Sequence, residues 1–376
     1  MKSVFFLSSF LIVYTYLLYP VILAILSRLP FLKKQSGHGQ PGEPPKISLI
    51  VSVYNEERVI EEKIKNCLEL DYPREKLEIL IGSDGSTDRT NETLNRYKGH
   101  NLFFYEFGGR EGKPSVVNRL VQQATGDILI LSDGDIFLEK DCLKKMVARF
   151  ADKKVGGVCG KIRFKKREGM ASEGIYWKYE SWIKRMEGSV GSTLQVSGGF
   201  YAMRKELWCE MPEGTLIDDF VVSMKIVEKG YALAYEPEAV AWGETAASTD
   251  QEFIRRVRYG AGGFQALAML YRLLNPMRGL IAWEFWSHKV IRWFGPFLMI
   301  AAFFSNAMLL GEGKLYLVLF VIQVFFYLTA LAGRFRDGGG LLGAPYHFVM
   351  INAALFLGFF HHILGLQKVT WKQAKK

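Results

Sequence analysis

Ile130-Leu131-Ser132-Asp133-Gly134-Asp135 is the stretch on which the reading of this chain turns. The apolar run Asp127 to Leu131 stops abruptly at two carboxylates spaced i, i+2. That pattern reads as a buried strand whose C-terminal end offers acids to a cleft. Two carboxylates there suit a hard divalent cation that keeps coordination positions for substrate phosphates. The six residues alone also fit a solvated turn, because Asp-Gly is a strong turn signal. The surrounding sequence decides between the two.

Upstream, apolar runs and helical spacings alternate. Ile47 to Val53, Leu77 to Ile81, Leu102 to Phe107 and Asp127 to Leu131 read as strands. Val59 to Leu70, Asp88 to Tyr97 and Pro114 to Gln123 read as helices between them. Such alternation predicts βαβ units, hence an α/β fold with a mostly parallel sheet covered by helices. Ligands of these sheets bind beyond the carboxyl ends of the strands. The polar clusters Tyr54-Asn55-Glu56, Asp84-Gly85-Ser86 and Asp133-Gly134-Asp135 all fall at strand ends, on one rim. Three clusters on one rim favour a site over chance turns.

The chain has 376 residues, 49% apolar and 23% charged, with a formal charge of +10. The middle is polar and basic, and the ends are apolar. The positive balance fits phosphate-bearing substrates or an anionic membrane face. A nucleic-acid partner is not expected, because zinc spacing, RNP-like strands and a basic arm are all missing from the sequence. Cys67, Cys142, Cys159 and Cys209 are dispersed without a C-x-x-C pair, which points away from a zinc or redox motif and towards a reducing compartment.

Val4 to Leu26 has the length of a membrane span, and Arg28, Lys33 and Lys34 after it predict a cytoplasmic exit. The expected division is a transmembrane helix in 1–28, a linker in 29–45, a cytoplasmic catalytic domain in 46–275, an interfacial helix in 276–293, transmembrane helices in 294–366 and a basic tail in 367–376. Leu280 to Trp293 mixes Trp283, Phe285, Trp286 and Trp293 with charged residues, as a helix on a membrane surface does. Phe294 to Leu310, Leu315 to Ala332 and Tyr346 to Leu364 each approach a span. One span before and three after leave the tail outside, whereas Lys368, Lys372, Lys375 and Lys376 favour the inside. One segment is therefore expected to be re-entrant or interfacial, or the tail escapes the rule.

Five motifs follow in order: Ser52–Glu57 (Ser-Val-Tyr-Asn-Glu-Glu), Ser83–Asp88 (Ser-Asp-Gly-Ser-Thr-Asp), Gly112-Lys113 with Asn118, Ser132–Asp135, and Asp218-Asp219. Together they resemble family 2 glycosyltransferases, the membrane-bound GT-A enzymes that include polysaccharide synthases. The resemblance implies that Ser52, Tyr54, Glu56, Asp84, Lys113, Asp133 and Gly134 line a nucleotide-sugar site. It implies that Asp135, with Asp133, ligates Mg2+ or Mn2+, and that Asp219 is the catalytic base. Relatives often carry two acids where this chain has Ser83-Asp84, which leaves Asp84 to contact the base.

The same residues have plainer readings. Asn55 can cap a helix, with the glutamates in its first turn. Lys113 can be a solvated lysine, and Asp218-Asp219 an N-cap pair. Ser86, Thr87 and Asp88 read as caps of the next helix. Processive synthases commonly carry Gln-x-x-Arg-Trp where this chain has Arg255-Arg256-Val257-Arg258-Tyr259. Arg258 keeps its place, and Arg255, Arg258 and Tyr259, with Asp218, are candidates for contact with acceptor or diphosphate. A basic helix face on anionic lipid is the alternative.

Together these readings predict an inverting, metal-dependent glycosyltransferase of the cytoplasmic membrane and cell envelope. It would move a sugar from a nucleoside diphosphate, UDP on resemblance, to a lipid-linked or growing polysaccharide acceptor, with other envelope-biosynthesis proteins as candidate partners. The alternatives are a nucleotidyltransferase and a non-catalytic membrane partner that retains the fold.

Overall fold

The structure, a computed structural model, describes residues 1–29, 43–99, 101–165, 173–244, 249–335 and 342–367. Lys33, Lys34, most of the expected linker and the lysines of the expected tail lie outside the described residues. From the N-terminus come α1 (Lys2–Val13), α2 (Tyr19–Leu26), β1 (Ile47–Val53), α3 (Ile60–Leu68), β2 (Leu77–Asp84), α4 (Thr90–Arg96), β3 (Leu102–Phe107), α5 (Lys113–Gln123) and β4 (Ile128–Asp133). There follow β5 (Phe137–Leu138), α6 (Cys142–Ala148), β6 (Val155–Lys165), α7 (Glu173–Val190), β7 (Phe200–Arg204), α8 (Asp218–Glu228), β8 (Ala232–Glu244) and α9 (Thr249–Met269). The chain continues through α10 (Leu280–Phe285), α11 (Ile291–Trp293), α12 (Gly295–Met308), α13 (Lys314–Arg334) and α14 (Gly343–Ile363).

One compact unit is an eight-stranded sheet in the order β3-β2-β1-β4-β7-β6-β8-β5, with α3 to α6 and α8. β3, β2, β1 and β4 are mutually parallel. Every residue of β1 and β2 is buried, as central parallel strands covered on both faces must be. α3 shows how the covering helices form. Ile60, Ile64 and Cys67 recur on one buried face, while Glu61 and Glu62 occupy the first turn, where the helix dipole favours anions. Burial of each such large apolar side chain is worth roughly 1.5–3 kcal/mol.

The four expected strands are present, and β2 runs on to Asp84. β5 to β8 have no counterpart in the sequence reading. β7 is short and antiparallel to both β4 and β6. β6 carries Gly156, Gly157 and Gly160 and breaks register with β8 twice, so its apolar pattern is interrupted. The sheet is thus mixed, with its parallel part where the sequence placed it.

The second compact unit holds α1, α2, α7 and α9 to α14. The division differs from the expected block at 46–275, because α7 and α9 pack among helices. Tyr19 and Leu23 of α2 form a buried cluster with Ile183 and Val190 of α7. Gly260 of α9 and Gly358 of α14 let the two helices approach closely, since a Cβ at Gly260 would sit 3.0 Å from the Leu355 Cα. A buried polar knot ties three segments together. Tyr19 donates to Glu187 at 2.9 Å, His288 lies 2.6 Å from Glu187 and 3.1 Å from Glu180, and Arg292 donates to Glu180 at 2.7 Å. Removing one partner from such a buried network costs about 3–5 kcal/mol.

Three helices, Lys2–Leu26, Lys314–Arg334 and Gly343–Ile363, are long and apolar enough to cross a bilayer. α13 turns Leu317, Val318, Val321, Ile322, Phe325 and Leu328 outward, which water would not tolerate as a continuous face. The protein is a membrane protein. The expected span at Phe294 to Leu310 is instead α12, whose 14 residues rise about 21 Å, short of the roughly 30 Å of a hydrocarbon core. The segment Leu280–Trp293 meets α12 at 63°, a broken span or re-entrant pair, with Pro296 at the start of α12 to explain the break.

Candidate active site

The site of the sheet unit is built at the carboxyl ends of β1, β2 and β4. Ser52 sits in register opposite Asp133 and is buried within β1. Beyond β1 the chain turns at Asn55, whose φ of 52° is left-handed. Its side chain accepts from the Thr87 N–H at 2.7 Å, and its own N–H donates to Ser86 at 3.0 Å. Asn55 therefore fastens one strand-end loop to the next and does not cap α3, which begins after Val59 without a side-chain cap. Of the three expected caps of α4, Asp88 alone accepts from a first-turn amide, that of Thr90 at 3.0 Å. Ser86 is taken up by Asn55 and Ser83. The Tyr54 ring is covered by the Arg110 guanidinium, 3.8 Å from its centroid. Glu56 is half-buried, its N–H donating to Thr90 at 2.8 Å, and Gly134 lies against Val53 and the Glu56 stem.

Asp84 ends β2 with both carboxylate oxygens engaged. They accept from the amides of Glu111 at 2.8 Å and Gly112 at 3.0 Å. Asp84 so fixes the loop that carries Arg110 and Lys113, while each oxygen keeps a second lone pair for a donor such as a base N–H.

Lys113 is not a solvated lysine. Its Nζ lies 2.6 Å from Asp133 Oδ1, 3.7 Å from Asp218 Oδ2 and 3.4 Å from the Gly198 carbonyl. Burial would lower its pKa, but Asp133 and Asp218 more than offset burial and raise it above the ordinary lysine value, so the ammonium stays charged. Asn118, on the same helix, braces the segment leading to Asp218 by exchanging two hydrogen bonds with the Met211 backbone, at 2.9 and 3.1 Å.

Asp218 and Asp219 open α8, where negative charge suits the helix N-terminus. Asp219 is nevertheless raised to about 6, first because it is withdrawn from water and then because Asp218 repels it, with Lys113 only partly compensating. The hydroxyl of Tyr201 is buried near this pair, its ionisation opposed by burial and by Asp218. Gly198 and Gly199 make room for the acids. A Cβ at Gly198 would fall 2.7 Å from Asp219 Oδ2, and one at Gly199 would fall 3.3 Å from Asp133 Oδ2.

The fold thus gathers Lys113, Asp133, Asp218 and Asp219 into one cluster, with Gly134 and Asp135 in the same turn as Asp133. Arg255, Arg258 and Tyr259 lie on α9, in the helical unit. Arg255 and Arg256 both pair with the buried Glu252. Gly198, Gly199, Tyr201 and Arg110 were not singled out in the sequence. The Gly-Gly doublet ahead of an apolar run was the signal that could have found the first two.

Asp133 and Asp135 offer only carboxylate oxygens. Among the described residues, no group of three or more His, Cys, Asp or Glu side chains could hold a metal. Two carboxylates fit a hard cation that completes its shell with phosphate oxygens and water, and do not fit a closed zinc cage. A groove of about 1240 Å³, lined by Pro45, Tyr72, Ile128, Phe150 and Lys205, lies at the other ends of β1 and β4 and contains none of these residues.

A mixed sheet with acids at its strand ends and apolar helices on both sides of it in sequence defines the class, a GT-A-type fold in a membrane protein. Residues 48–209 match the family model for glycosyl transferase family 2, and over that stretch the chain is similar to that family. The poly-beta-1,6-N-acetyl-D-glucosamine synthase of Staphylococcus aureus (strain COL) is 30% identical over 229 residues, 59% of this chain and 55% of that protein. The enzyme of the same name from Staphylococcus epidermidis is 27% identical over the same shares. The chain thus matches about half the length of these relatives. A mannosyltransferase from Pyrobaculum calidifontis, solved with GDP-Man and Mn2+, superposes with a TM-score of 0.77 over 97% of this chain and 99% of its own. At 22% identity that likeness speaks for the fold alone.

Proposed function

We propose that the protein is an inverting glycosyltransferase of the cytoplasmic membrane, with its sheet unit in the cytoplasm, that moves a sugar from a UDP-linked donor to a lipid-linked or growing polysaccharide acceptor. The observation that carries the proposal is the cluster in which Lys113 bridges Asp133 and Asp218 beside Asp219. The synthase names of the Staphylococcus relatives support the acceptor class and the envelope setting. The Mn2+ of the Pyrobaculum structure supports a divalent cation.

In this reading Tyr54, Glu56 and Asp84 receive the nucleoside, and Lys113 exchanges part of its pairing with Asp133 for the diphosphate. Asp133 and Asp135 would hold Mg2+ or Mn2+, which when bound would offset the charge of the departing diphosphate. Asp219 takes the proton of the acceptor hydroxyl as that oxygen attacks the anomeric carbon. A pKa near 6 leaves it ionised at neutral pH yet basic enough to accept a proton. One base and one assisted leaving group suffice for a single displacement with inversion. The three helices able to cross a membrane leave the sheet unit and the C-terminal tail on one side if the bent pair does not cross.

A donor panel on the purified full chain, following release of UDP or GDP, tests the reading. UDP release that depends on Mg2+ or Mn2+, stops in chelator and is abolished by Asp135→Asn is expected. Full turnover in excess chelator, or release of GDP alone, rejects the metal or the nucleotide assignment respectively.

A further inference from the structure

Lys63 has no part in the scheme above, yet it is 0% exposed at the middle of α3. Its Nζ donates to Ser132 Oγ at 2.8 Å and to the Ile136 carbonyl. These two acceptors flank Asp133-Gly134-Asp135 on either side. One helical turn later, Asn66 exchanges hydrogen bonds with both backbone groups of Leu138, each at 2.8 Å. α3 therefore grips the segment from Ser132 to Leu138 at three points. Across the turn the Ile136 N–H reaches the Asp133 carbonyl at 3.3 Å, and the Asp133 N–H reaches the Gly199 carbonyl at 3.2 Å.

Stability alone does not explain a lysine here. Burying an ammonium is costly, and an apolar side chain of similar length is often neutral or better at such positions. What a methionine lacks is the pair of donors that hold the turn on both sides of the two acids. We propose that Lys63 is a positioning residue, whose buried Nζ locks the Ser132–Ile136 turn so that Asp133 and Asp135 are set for a metal-bound diphosphate. The proposal rests on the reading of that pair as the donor's metal site.

Two measurements on the full chain in detergent test it. The first is amide hydrogen exchange across residues 129–139 without metal or nucleotide. In Lys63→Met the Ile136 amide should exchange about tenfold faster or more while protection of β1 and β2 is unchanged, since the change loosens one turn and not the sheet. The second is Mn2+ binding by calorimetry in the presence of UDP. The dissociation constant should rise by about tenfold or more, the usual effect of removing a group that orients metal ligands. Ser132→Ala removes one of the two acceptors and should shift both readouts in the same sense by a smaller factor; it carries the test if Lys63→Met does not fold. Wild-type exchange at Ile136 in the folded variants overturns the proposal. So does tighter Mn2+ binding, which is what loss of a merely repelling charge would give. If wild-type protein with UDP fails to bind Mn2+, the reading of the acids as a metal site fails, while the exchange data still decide whether Lys63 holds the turn.

Discussion

In the proposed reaction Asp219 is the base. Its pKa of about 6 predicts an acid limb in kcat/KM near pH 6, with activity rising as the base ionises. Asp218→Asn removes a charge that raises that value, so the limb should move to lower pH. A limb that stays in place would separate the two acids. Asp219→Asn should lose roughly two to four powers of ten in transfer rate and keep wild-type UDP affinity by calorimetry. The sign of the stability effect follows from the same shift. A carboxyl raised in the folded state carries no penalty below the unfolded value, and destabilises progressively as pH rises through its folded value. Asp219→Asn should therefore raise Tm at pH 7.5 and leave it nearly unchanged at pH 4. Equal shifts at both pH values would show that withdrawal from water is not what raises the group.

At the scale of elements, the site depends on how closely the segment before β7 approaches the start of α8. Gly198 sets that approach, because a methyl group there would meet the Asp219 carboxylate at 2.7 Å. Gly198→Ala should displace Asp219 by a fraction of an ångström to an ångström and lower kcat by about a hundredfold, with the melting temperature and donor affinity close to wild type. Unchanged kcat would mean that the carboxylate can move aside at no cost. The elements themselves were mostly legible. β1 to β4 and α3 to α5 follow from apolar runs and helical spacing, which are local signals. β6 and β7 were not legible. Glycines dilute the pattern of β6, and β7 gains its place from antiparallel neighbours far away in sequence.

At the scale of the whole molecule, the question is how the chain threads the membrane. Three helices can cross, and the bent pair around Pro296 includes a helix too short to do so alone. If the bent pair does not cross, two spans after the sheet unit would return Gln367 to the side of that unit, and the lysines at the end of the sequence would favour the cytoplasm for that side. Single cysteines introduced as Lys153→Cys and Gln367→Cys should both resist a membrane-impermeant reagent in intact cells and react after lysis. Labelling of Gln367→Cys alone from outside would make the bent pair a fourth span. Labelling of Lys153→Cys from outside would place the sheet unit away from cytosolic donors.

The sequence by itself determined the parallel half of the sheet, the strand-end acids, the apolar segments and the order of the motifs. Each of these is written in residues within a few positions of one another, where periodicity and turn chemistry act. Only the tertiary structure decided that Lys113 is buried and paired instead of solvated, that Asp84 holds a loop, that Asn55 joins two loops instead of capping a helix, and that Lys63 binds both ends of the Ser132–Ile136 turn. Those outcomes depend on contacts between residues such as Lys113 and Asp133, or Lys63 and Ile136, that are 20 and 73 positions apart. The strand order and the antiparallel insertion of β7 beside β4 set the framework for the Gly198 contacts, and no local pattern encodes that pairing.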